Sequence, residues 1–322
     1  MTCSRWFNTA ALSSVLFSSA LLSAPAFAQD DAESVRFAVP AWPGVTVKTA
    51  LTAQLLEALG YEVRQQELGS TITYEAMNQG EIDVFMAAWL PAQNGMYETA
   101  MERGTIVDLG NNVDGARLGF AVPTYAYEAG FTSAEQFANE EFAERVNRTI
   151  YSIEVGSGMS DLLNTAADNN VYGLSDWRLS ETSTPGMLSA AADEMNRGEW
   201  VVFSGWTPHW MNIEYDIQYL DDPENLWGEG GGASDVKTLV TSDFAESNPN
   251  ATRLLDQIIF TADDQSAMIY GFSYEEREPE AVALDWMRDN TEQVQAFLDG
   301  VTTRDGEPAW EAVEQELELS AE

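Results

Sequence analysis

Three of the ten tryptophans in this chain stand where predicted strands end. Trp42 and Trp89 are the last residues of two such segments, and Trp206 comes two residues after a third. Ligands of open α/β sheets bind at the carboxyl ends of strands, so the three indole rings are expected to meet in one cleft. Aromatic faces can hold a quaternary ammonium group, which has no N–H to donate and is attracted by the ring quadrupoles. A single indole at such a place is usually a packing residue, but three together indicate a cage for a methylated cation.

The loop 156–160 could bind an anionic group. It has the sequence Gly-Ser-Gly-Met-Ser and precedes a predicted helix. Free backbone N–H groups and the positive end of a helix dipole favour an anion, so Ser157, Gly158 and Met159 are candidate partners of a carboxylate. An ordinary glycine-rich connection would have the same sequence. Taken with the tryptophans, the loop would suit a zwitterionic ligand.

The elements that must position these residues alternate between strands and helices. Segments 36–42, 61–68 and 82–89 predict strands, and the segments between them, 46–59 and 71–78, predict helices. Such a βαβαβ order predicts a mostly parallel sheet with helices on its faces.

A second series of elements follows. Its predicted strands and helices are 117–122, a helix opened by a capping box of Ser133 and Gln136, 149–154, 160–167, 185–197 and 200–204. After the glycine-rich segment 228–232, a further strand is predicted at 236–240, and 281–298 is the longest helix candidate in the helical remainder.

Two α/β units predict an α/β protein with two lobes and a ligand-binding cleft between them. The predicted first lobe comprises residues 29–117 and 233–322, and the second comprises 118–232. The chain would cross between the lobes twice, and the two crossings would act as hinges.

The first 28 residues have the order of a secretory signal. Arg5 precedes an apolar, small-residue run that ends in Ala26-Phe27-Ala28. The run is interrupted by serines and is too short to span a bilayer. Residues 1–28, with the sole cysteine Cys3, are therefore predicted to be removed on export, and we expect the chain to be periplasmic.

The composition of the chain excludes several classes of protein. The 15 Lys and Arg against 53 Asp and Glu give a formal net charge of −38, and such a polyanion repels nucleic acid. With 45% hydrophobic residues, the chain can form a large core and is not a disordered protein. A surface so acidic, with Lys48 and Lys237 as its two lysines, suggests adaptation to salt.

An enzyme is the main alternative. A secreted glycoside hydrolase could hide two catalytic carboxylates among the acidic residues, although no pair is marked by its spacing. Nucleophile-elbow, zinc-protease and P-loop motifs are absent from the sequence, and no metal or cofactor is expected. A binding protein for a sugar or an amino acid is a further alternative, with Arg117 as the candidate clamp for an amino-acid carboxylate.

Four segments resemble the glycine betaine and choline substrate-binding proteins of ABC transporters, which have the type II periplasmic-binding-protein fold. The segments are Ala88-Trp89-Leu90-Pro91, Gly115-Ala116-Arg117-Leu118-Gly119, Gly205-Trp206-Thr207-Pro208-His209-Trp210-Met211 and Tyr219-Leu220-Asp221-Asp222-Pro223. In that family two lobes close over the ligand, and tryptophans surround its trimethylammonium group. The resemblance therefore implies Trp42, Trp89 and Trp206 as walls of the cage.

The chain lacks one aromatic residue that some betaine-binding relatives have. Those relatives carry a further tryptophan in the loop that is here 156–159, so one wall of the cage is unassigned. Phe120, Tyr74 and Tyr151 are candidates for it.

Further differences concern the ends of the ligand. Choline-binding relatives have an acidic residue near Gly44 and a tyrosine near Leu118, and without the acid a ligand hydroxyl would lose its acceptor. Lys237 lies where some relatives have a histidine, and it is a candidate contact for the carboxylate. His209, the sole histidine, is a second candidate, with hydrogen bonding to the backbone of its own loop as the alternative.

We therefore expect a periplasmic solute-binding protein, monomeric and without enzymatic activity, that passes its ligand to an inner-membrane ABC permease. The expected ligand is glycine betaine. Choline, dimethylsulfoniopropionate and trimethylamine N-oxide are alternatives within the same class.

Overall fold

The computed structural model describes residues 34–319, so the predicted signal at 1–28 lies outside the described part of the chain. The described residues form ten β-strands: β1 (Ser34–Ala38), β2 (Glu62–Gln66), β3 (Val84–Leu90), β4 (Ile106–Val113), β5 (Arg117–Pro123), β6 (Thr149–Ser152), β7 (Arg178–Glu181), β8 (Val202–Thr207), β9 (Ile217–Tyr219) and β10 (Asp235–Thr241). They make two five-stranded sheets, ordered β2-β1-β3-β10-β4 and β7-β6-β8-β5-β9.

The α-helices of the described chain cover the faces of these sheets. They are α1 (Pro43–Ala58), α2 (Ser70–Asn78), α3 (Asn94–Arg103), α4 (Thr124–Glu128), α5 (Glu140–Arg145), α6 (Gly158–Asp168), α7 (Thr184–Asn196), α8 (Met211–Glu214), α9 (Glu229–Gly232), α10 (Ser242–Ser247), α11 (Pro249–Gln257), α12 (Ala262–Ile269), α13 (Pro279–Asp289), α14 (Thr291–Phe297) and α15 (Ala309–Glu316). Two 3₁₀ segments (Ala134–Ala138 and Val171–Asp176) and one π-helical turn (Tyr270–Tyr274) complete the connections.

Each sheet is parallel in one half and antiparallel in the other. In the first sheet β1 pairs in parallel with β2 and β3, while β10 is antiparallel to both β3 and β4. In the second sheet β6 pairs in parallel with β7 and β8, while β5 is antiparallel to β8 and β9. The βαβ alternation of the sequence accounts for the parallel halves, since a helix returns the chain to the same end of the sheet. The antiparallel partners belong to the segments where the chain passes from one sheet to the other.

Buried apolar strands hold the helices in place. Val84, Phe85 and Met86 on β3 are fully buried, and the long helix α1 places Leu51 and Leu55 against the same sheet. A strand covered on both faces is expected to be continuously apolar, and the run from 84 to 88 has that pattern. Packing of the helices on these strands holds the strand ends in place, and with them the segments that carry the tryptophans.

The predicted strand 36–42 is shorter than expected, because β1 ends at Ala38; Trp42 therefore lies just before α1 and not at the end of a strand. Two further elements differ from the sequence analysis. No strand was predicted at the position of β4, because its sequence Ile-Val-Asp-Leu-Gly-Asn-Asn-Val is half polar. The predicted helix 281–298 is two helices, separated at Asn290, whose backbone is not helical (φ −128°, ψ 42°). The Asn290 side chain donates from Nδ2 to the carbonyl oxygen of Trp286 (2.8 Å) and so competes with a continuing helix.

The capping box predicted at Ser133 is present. The Ser133 hydroxyl accepts from the backbone near the start of the following turn, and Gln136 Oε1 accepts from the Ser133 N–H (2.9 Å). The turn that it opens is a 3₁₀ helix rather than a full α-helix. Between residues 34 and 319, no helix combines the length and apolar character needed to cross a bilayer.

Candidate ligand-binding site

A cavity between the two sheets brings the three candidate tryptophans together. It contains about 360 Å³ of space free of atoms, counting the part open to solvent. Its lining comes from Trp42, Trp89, Ala92 and Gln93 on the side of the first sheet, and from Leu118, Ile153, Ser157, Gly158, Met159 and Trp206 on the side of the second. Trp42 and Trp206 are 7% and 5% exposed, so their rings are almost removed from bulk water.

The backbone around each tryptophan fixes its ring at the cavity. Trp42 directly precedes α1, and its carbonyl oxygen accepts a hydrogen bond from the Thr46 hydroxyl (3.2 Å). Trp89 lies near the end of β3, opposite Val236 on β10. Trp206 lies within β8 rather than after it, opposite Leu118 on β5, and its carbonyl accepts from Asn212 Nδ2 (2.8 Å).

The apolar part of the remaining wall is aliphatic. Leu118, Ile153 and Met159 line the cavity, whereas the three aromatic candidates for the unassigned wall lie elsewhere. Phe120 is fully buried, with ring centroids 4.9 Å from those of both Phe137 and Trp227. The cage is therefore aromatic on three sides and closed by alkyl groups.

The other aromatic candidates are also engaged outside the cavity. Tyr74 packs edge-on against Phe85, with ring centroids 5.8 Å apart. The Tyr151 hydroxyl donates to Glu194 Oε1 (3.4 Å). Which side chains line the cavity depends on the register of the strands, and the register cannot be read from the sequence.

The start of α6 brings polar hydrogens to the lining of the cavity. Gly158 and Met159 are the first two residues of this helix, so their N–H groups have no partner within it. The Ser157 N–H already donates to the Glu154 carbonyl (3.2 Å), and the Ser157 oxygen accepts from the Ser160 N–H (3.2 Å). The Ser157 hydroxyl hydrogen is left to donate. An anion here would meet two backbone N–H groups, one hydroxyl and the positive helix end.

Gly158 allows the two sides of the cavity to approach each other. A Cβ at this position would lie 3.0 Å from Cγ of Gln93 and 3.1 Å from Cβ of Ala92. Both of those residues follow β3 of the first sheet, so the start of α6 rests against the opposite side of the cleft. A larger residue at 158 would push the sides apart.

Lys237 does not line the cavity. Its Nζ lies 2.9 Å from Oδ2 of Asp108, which also accepts from the hydroxyl of Tyr97 (2.7 Å). Burial alone would raise the pKa of Asp108, but the hydrogen bonds from Tyr97, the Gly110 N–H and Lys237 outweigh it and lower the pKa. The structure thus places Lys237 in a network on the first sheet.

His209 lies behind the cage rather than in its lining. It is 1% exposed, and its Nδ1 accepts from the Met211 N–H (3.1 Å). Its ring stands edge-on to Trp206, with centroids 4.8 Å apart. Burial lowers the pKa of His209 to about 3, so the ring is neutral at physiological pH. These contacts fit the structural alternative, in which His209 shapes the loop that carries Trp206.

Arg117 is also turned away from the cavity. Its Nε donates to the Gly231 carbonyl (2.7 Å), and its guanidinium lies 4.6 Å from the centre of the Tyr219 ring. It therefore provides no clamp for an amino-acid carboxylate. Within residues 34–319, no group of three or more His, Cys, Asp or Glu side chains is arranged to hold a metal ion.

Several lining residues were missed from the sequence. Gln93 is buried and donates from Nε2 to the Ala87 carbonyl (3.1 Å) and the Ser70 hydroxyl (3.2 Å). It follows Trp89 by four residues, and this short separation was the one feature of the sequence that could have indicated a place in the lining. Ile153 gave no signal because an apolar residue at a strand end is ordinary.

The same three tryptophans also line a second, smaller compartment. It contains about 270 Å³ of atom-free space, counting the part open to solvent, and is lined by Trp42, Gly44, Val45, Lys48, Trp89, Val113, Trp206, Pro208 and Gln265. Burial lowers the pKa of Lys48 to about 7. Lys48 and Gln265 lie far apart in the sequence, on α1 and α12, and no motif connected them.

Comparison with known proteins shows the family of this chain. A protein-family model, described as the substrate-binding domain of the ABC-type glycine betaine transport system, matches residues 33–289. The glycine betaine/carnitine transport binding protein GbuC of Listeria monocytogenes is 34% identical over 180 residues, which cover 55% of this chain and 58% of that relative. The alignment thus spans little more than half of the length of that curated protein.

Two solved structures are similar over most of the chain. An ABC-transporter choline-binding protein in complex with choline has a TM-score of 0.85 and 28% identity, covering 88% of this chain and 98% of that one. Lactococcal OpuAC in its closed form with glycine betaine has a TM-score of 0.73 and 26% identity, covering 82% and 99%. The predicted two-lobed fold is therefore confirmed.

These relatives are binding components of transporters, and the prediction that the chain is not an enzyme is confirmed by the family. The glycoside hydrolase alternative is not favoured. The family model matches well over half of the chain. The chain belongs to the OpuAC family, the substrate-binding domains of ABC-type glycine betaine transport systems.

Proposed function

We propose that this chain captures a small methylated onium compound, with glycine betaine as the first candidate, and delivers it to an ABC permease. The observation that carries the proposal is the convergence of Trp42, Trp89 and Trp206 on one cavity. These indoles come from three separate segments, and packing alone does not require their faces to share a pocket.

The cage would bind the cationic end. Each desolvated indole face contributes about 0.5 to 2 kcal/mol to holding a cation. The alkyl walls formed by Leu118, Ile153 and Met159 would contact the methyl groups. A methylated ammonium group has no N–H hydrogen bonds to water to give up on entering such a cavity, whereas a primary ammonium would exchange such bonds for walls that are mainly aromatic and aliphatic.

The start of α6 would bind a carboxylate end. The N–H groups of Gly158 and Met159 and the hydroxyl of Ser157 are the donors at that end of the cavity. Glycine betaine carries one methyl-capped cation and one carboxylate, and therefore fits both ends. Choline, dimethylsulfoniopropionate and trimethylamine N-oxide share the onium centre and remain the alternatives within this class.

Binding would be coupled to closure of two lobes. We propose that the lobes have the predicted bounds, 29–117 with 233–322 for the first and 118–232 for the second; the lining residues, all within 34–319, then come from both. A ligand that contacts both lobes stabilises the closed state by its extra contacts there. The closed, ligand-loaded form is the species that a permease would recognise. We further propose that the exported chain lacks residues 1–28, is periplasmic and acts as a monomer.

Titration calorimetry of the purified protein tests this function. The panel would contain glycine betaine, choline, dimethylsulfoniopropionate, trimethylamine N-oxide, an oligosaccharide and a set of amino acids. We expect saturable binding of at least one onium compound, with glycine betaine among the tightest, and no binding of the oligosaccharide or the amino acids. Binding of a sugar or an unmethylated amino acid in place of the onium compounds would contradict the proposal.

A further inference from the structure

Lys48 lines the compartment that adjoins the cage and carries an amine into the interior of the protein. The residue is 2% exposed, and Nζ donates to Oδ1 of Asn112 (2.5 Å). Asn112 is itself held in place, because its Nδ2 donates to the Met86 carbonyl (3.1 Å) and to the Thr238 hydroxyl (2.9 Å). A lysine amine has two hydrogens when neutral and three when charged. Lys48 therefore has at least one N–H to spare in either state.

Gln265 brings an unused acceptor to the same compartment. It is 2% exposed, and its Nε2 donates to the Gly44 carbonyl (2.5 Å). This bond fixes the orientation of the amide, since only the NH₂ end can donate to a carbonyl oxygen. Oε1 then has no hydrogen-bond partner within the described part of the chain. A buried acceptor left in this state is costly, so a donor is expected to meet it.

The side chain of Gln265 occupies the space that a side chain at position 44 would need. A Cβ on Gly44 would lie 2.9 Å from Gln265 Nε2. The glycine therefore admits the amide to the wall of the compartment. Gln265 and Lys48 line this compartment together with the three tryptophans of the cage, so the compartment adjoins the cage.

The two polar groups call for a hydroxyl. A hydroxyl accepts one hydrogen bond and donates another, which matches the spare N–H of Lys48 and the free Oε1 of Gln265. A carboxylate would have no hydrogen for Oε1, and a second ammonium group would face the amine of Lys48. The matching chemistry is shared by water and by an alcohol.

We propose that this inner compartment receives a hydroxyl group carried by the bound cation. The ligand O–H donates to Oε1 of Gln265 and accepts from Nζ of Lys48. Water takes this position when the ligand has no hydroxyl. The proposal rests on the proposed function, because the cage must first hold the cationic end. It gives a ligand hydroxyl the acceptor that Gly44 does not provide.

A matched pair of ligands tests the proposal. Choline and propyltrimethylammonium have nearly the same shape and charge, and differ by O–H against CH₃. Their dissociation constants would be measured by calorimetry for the wild-type protein and for Gln265→Leu and Lys48→Met. We expect the wild type to prefer choline by at least about tenfold, since propyltrimethylammonium leaves the buried Gln265 acceptor unpaired. The preference should fall to about threefold or less in Gln265→Leu.

Lys48→Met should also reduce the preference, so the test stands if one variant does not fold. Thermal melting would establish which variants are folded. A wild-type preference near one, or the same preference in Gln265→Leu, would mean that the compartment holds water only and would overturn the inference. Failure of the proposed function has a different result, in which the wild type binds neither these two ligands nor glycine betaine.

Discussion

Single residues decide whether the cavity is a cation cage. Trp89 and Trp206 line it from opposite sheets, so truncating each residue removes a different wall of the cavity. Trp89→Ala and Trp206→Ala should each weaken binding of glycine betaine by at least ~1 kcal/mol, through the loss of cation–π and apolar contact. Calorimetric titration measures this change.

Trp310 supplies a matched control. It lies on α15, is partly buried and lines neither compartment. Trp310→Ala should therefore leave the affinity within experimental error of the wild type. Unchanged affinity in both cage variants would remove Trp89 and Trp206 from the site.

The buried amine of Lys48 should make stability depend on pH. Burial lowers its pKa from 10.5 in the unfolded chain to about 7 in the folded one. Between these values the unfolded state binds more protons, so the free energy of unfolding rises as the pH rises. Below about pH 7 the amine is charged in both states and its burial cost is fully present.

We expect the unfolding free energy to increase by on the order of 3 kcal/mol between pH 7 and 9.5 from this group. Lys48→Met should remove that slope, whatever its effect on stability at a single pH. Denaturant melts of the wild type and the variant at several pH values measure the slope. Parallel pH profiles for the two proteins would show that the amine does not titrate in this range.

At the scale of elements, the start of α6 determines recognition of the anionic end. Ser157 precedes this helix, its hydroxyl oxygen caps the helix, and the residue lines the cavity. Ser157→Ala should cost about 1 kcal/mol of stability, as the loss of a helix cap does. The substitution should also weaken the binding of glycine betaine several-fold more than the binding of tetramethylammonium. Tetramethylammonium has no carboxylate, so it does not depend on the Ser157 donor. Calorimetry with both ligands tests this, and an equal loss for the two would place the carboxylate elsewhere.

The sequence was sufficient to predict the elements that carry the site. Alternating apolar and amphipathic segments placed β3, β6 and β8, and their ends placed Trp89, Ser157 and Trp206. Pairing across strands was not readable, because a strand can shift by one residue without any change in composition. For that reason Leu118, opposite Trp206, was missed as a wall of the cavity.

Long-range partnerships were also beyond the sequence. Lys48 and Gln265 line one compartment because α12 packs on α1, and neither residue belongs to a local motif. Lys237 was predicted as a carboxylate contact because lysine is rare in this chain and the residue lies near the site in the sequence. In the structure its ammonium group pairs with Asp108. The rarity of one residue type was thus a weaker guide to the binding site than three tryptophans at equivalent positions in the predicted elements.

At the scale of the whole molecule, the charge of −38 should oppose folding when it is not screened. We expect the melting temperature to rise as salt is added, with most of the rise complete by about 0.3 M, where the Debye length is a few ångströms. Sodium and potassium chloride should act equally, since screening depends on ionic strength. Scanning fluorimetry across a salt series measures the effect. A melting temperature independent of salt would contradict adaptation of this surface to a saline environment.

A crystal structure of the protein grown with glycine betaine tests the central claim most directly. We predict that the ligand nitrogen lies within about 6 Å of the ring centres of Trp42, Trp89 and Trp206. The carboxylate should meet the N–H groups of Gly158 and Met159. Ligand density outside this cavity, or indole rings turned away from a bound cation, would contradict the account.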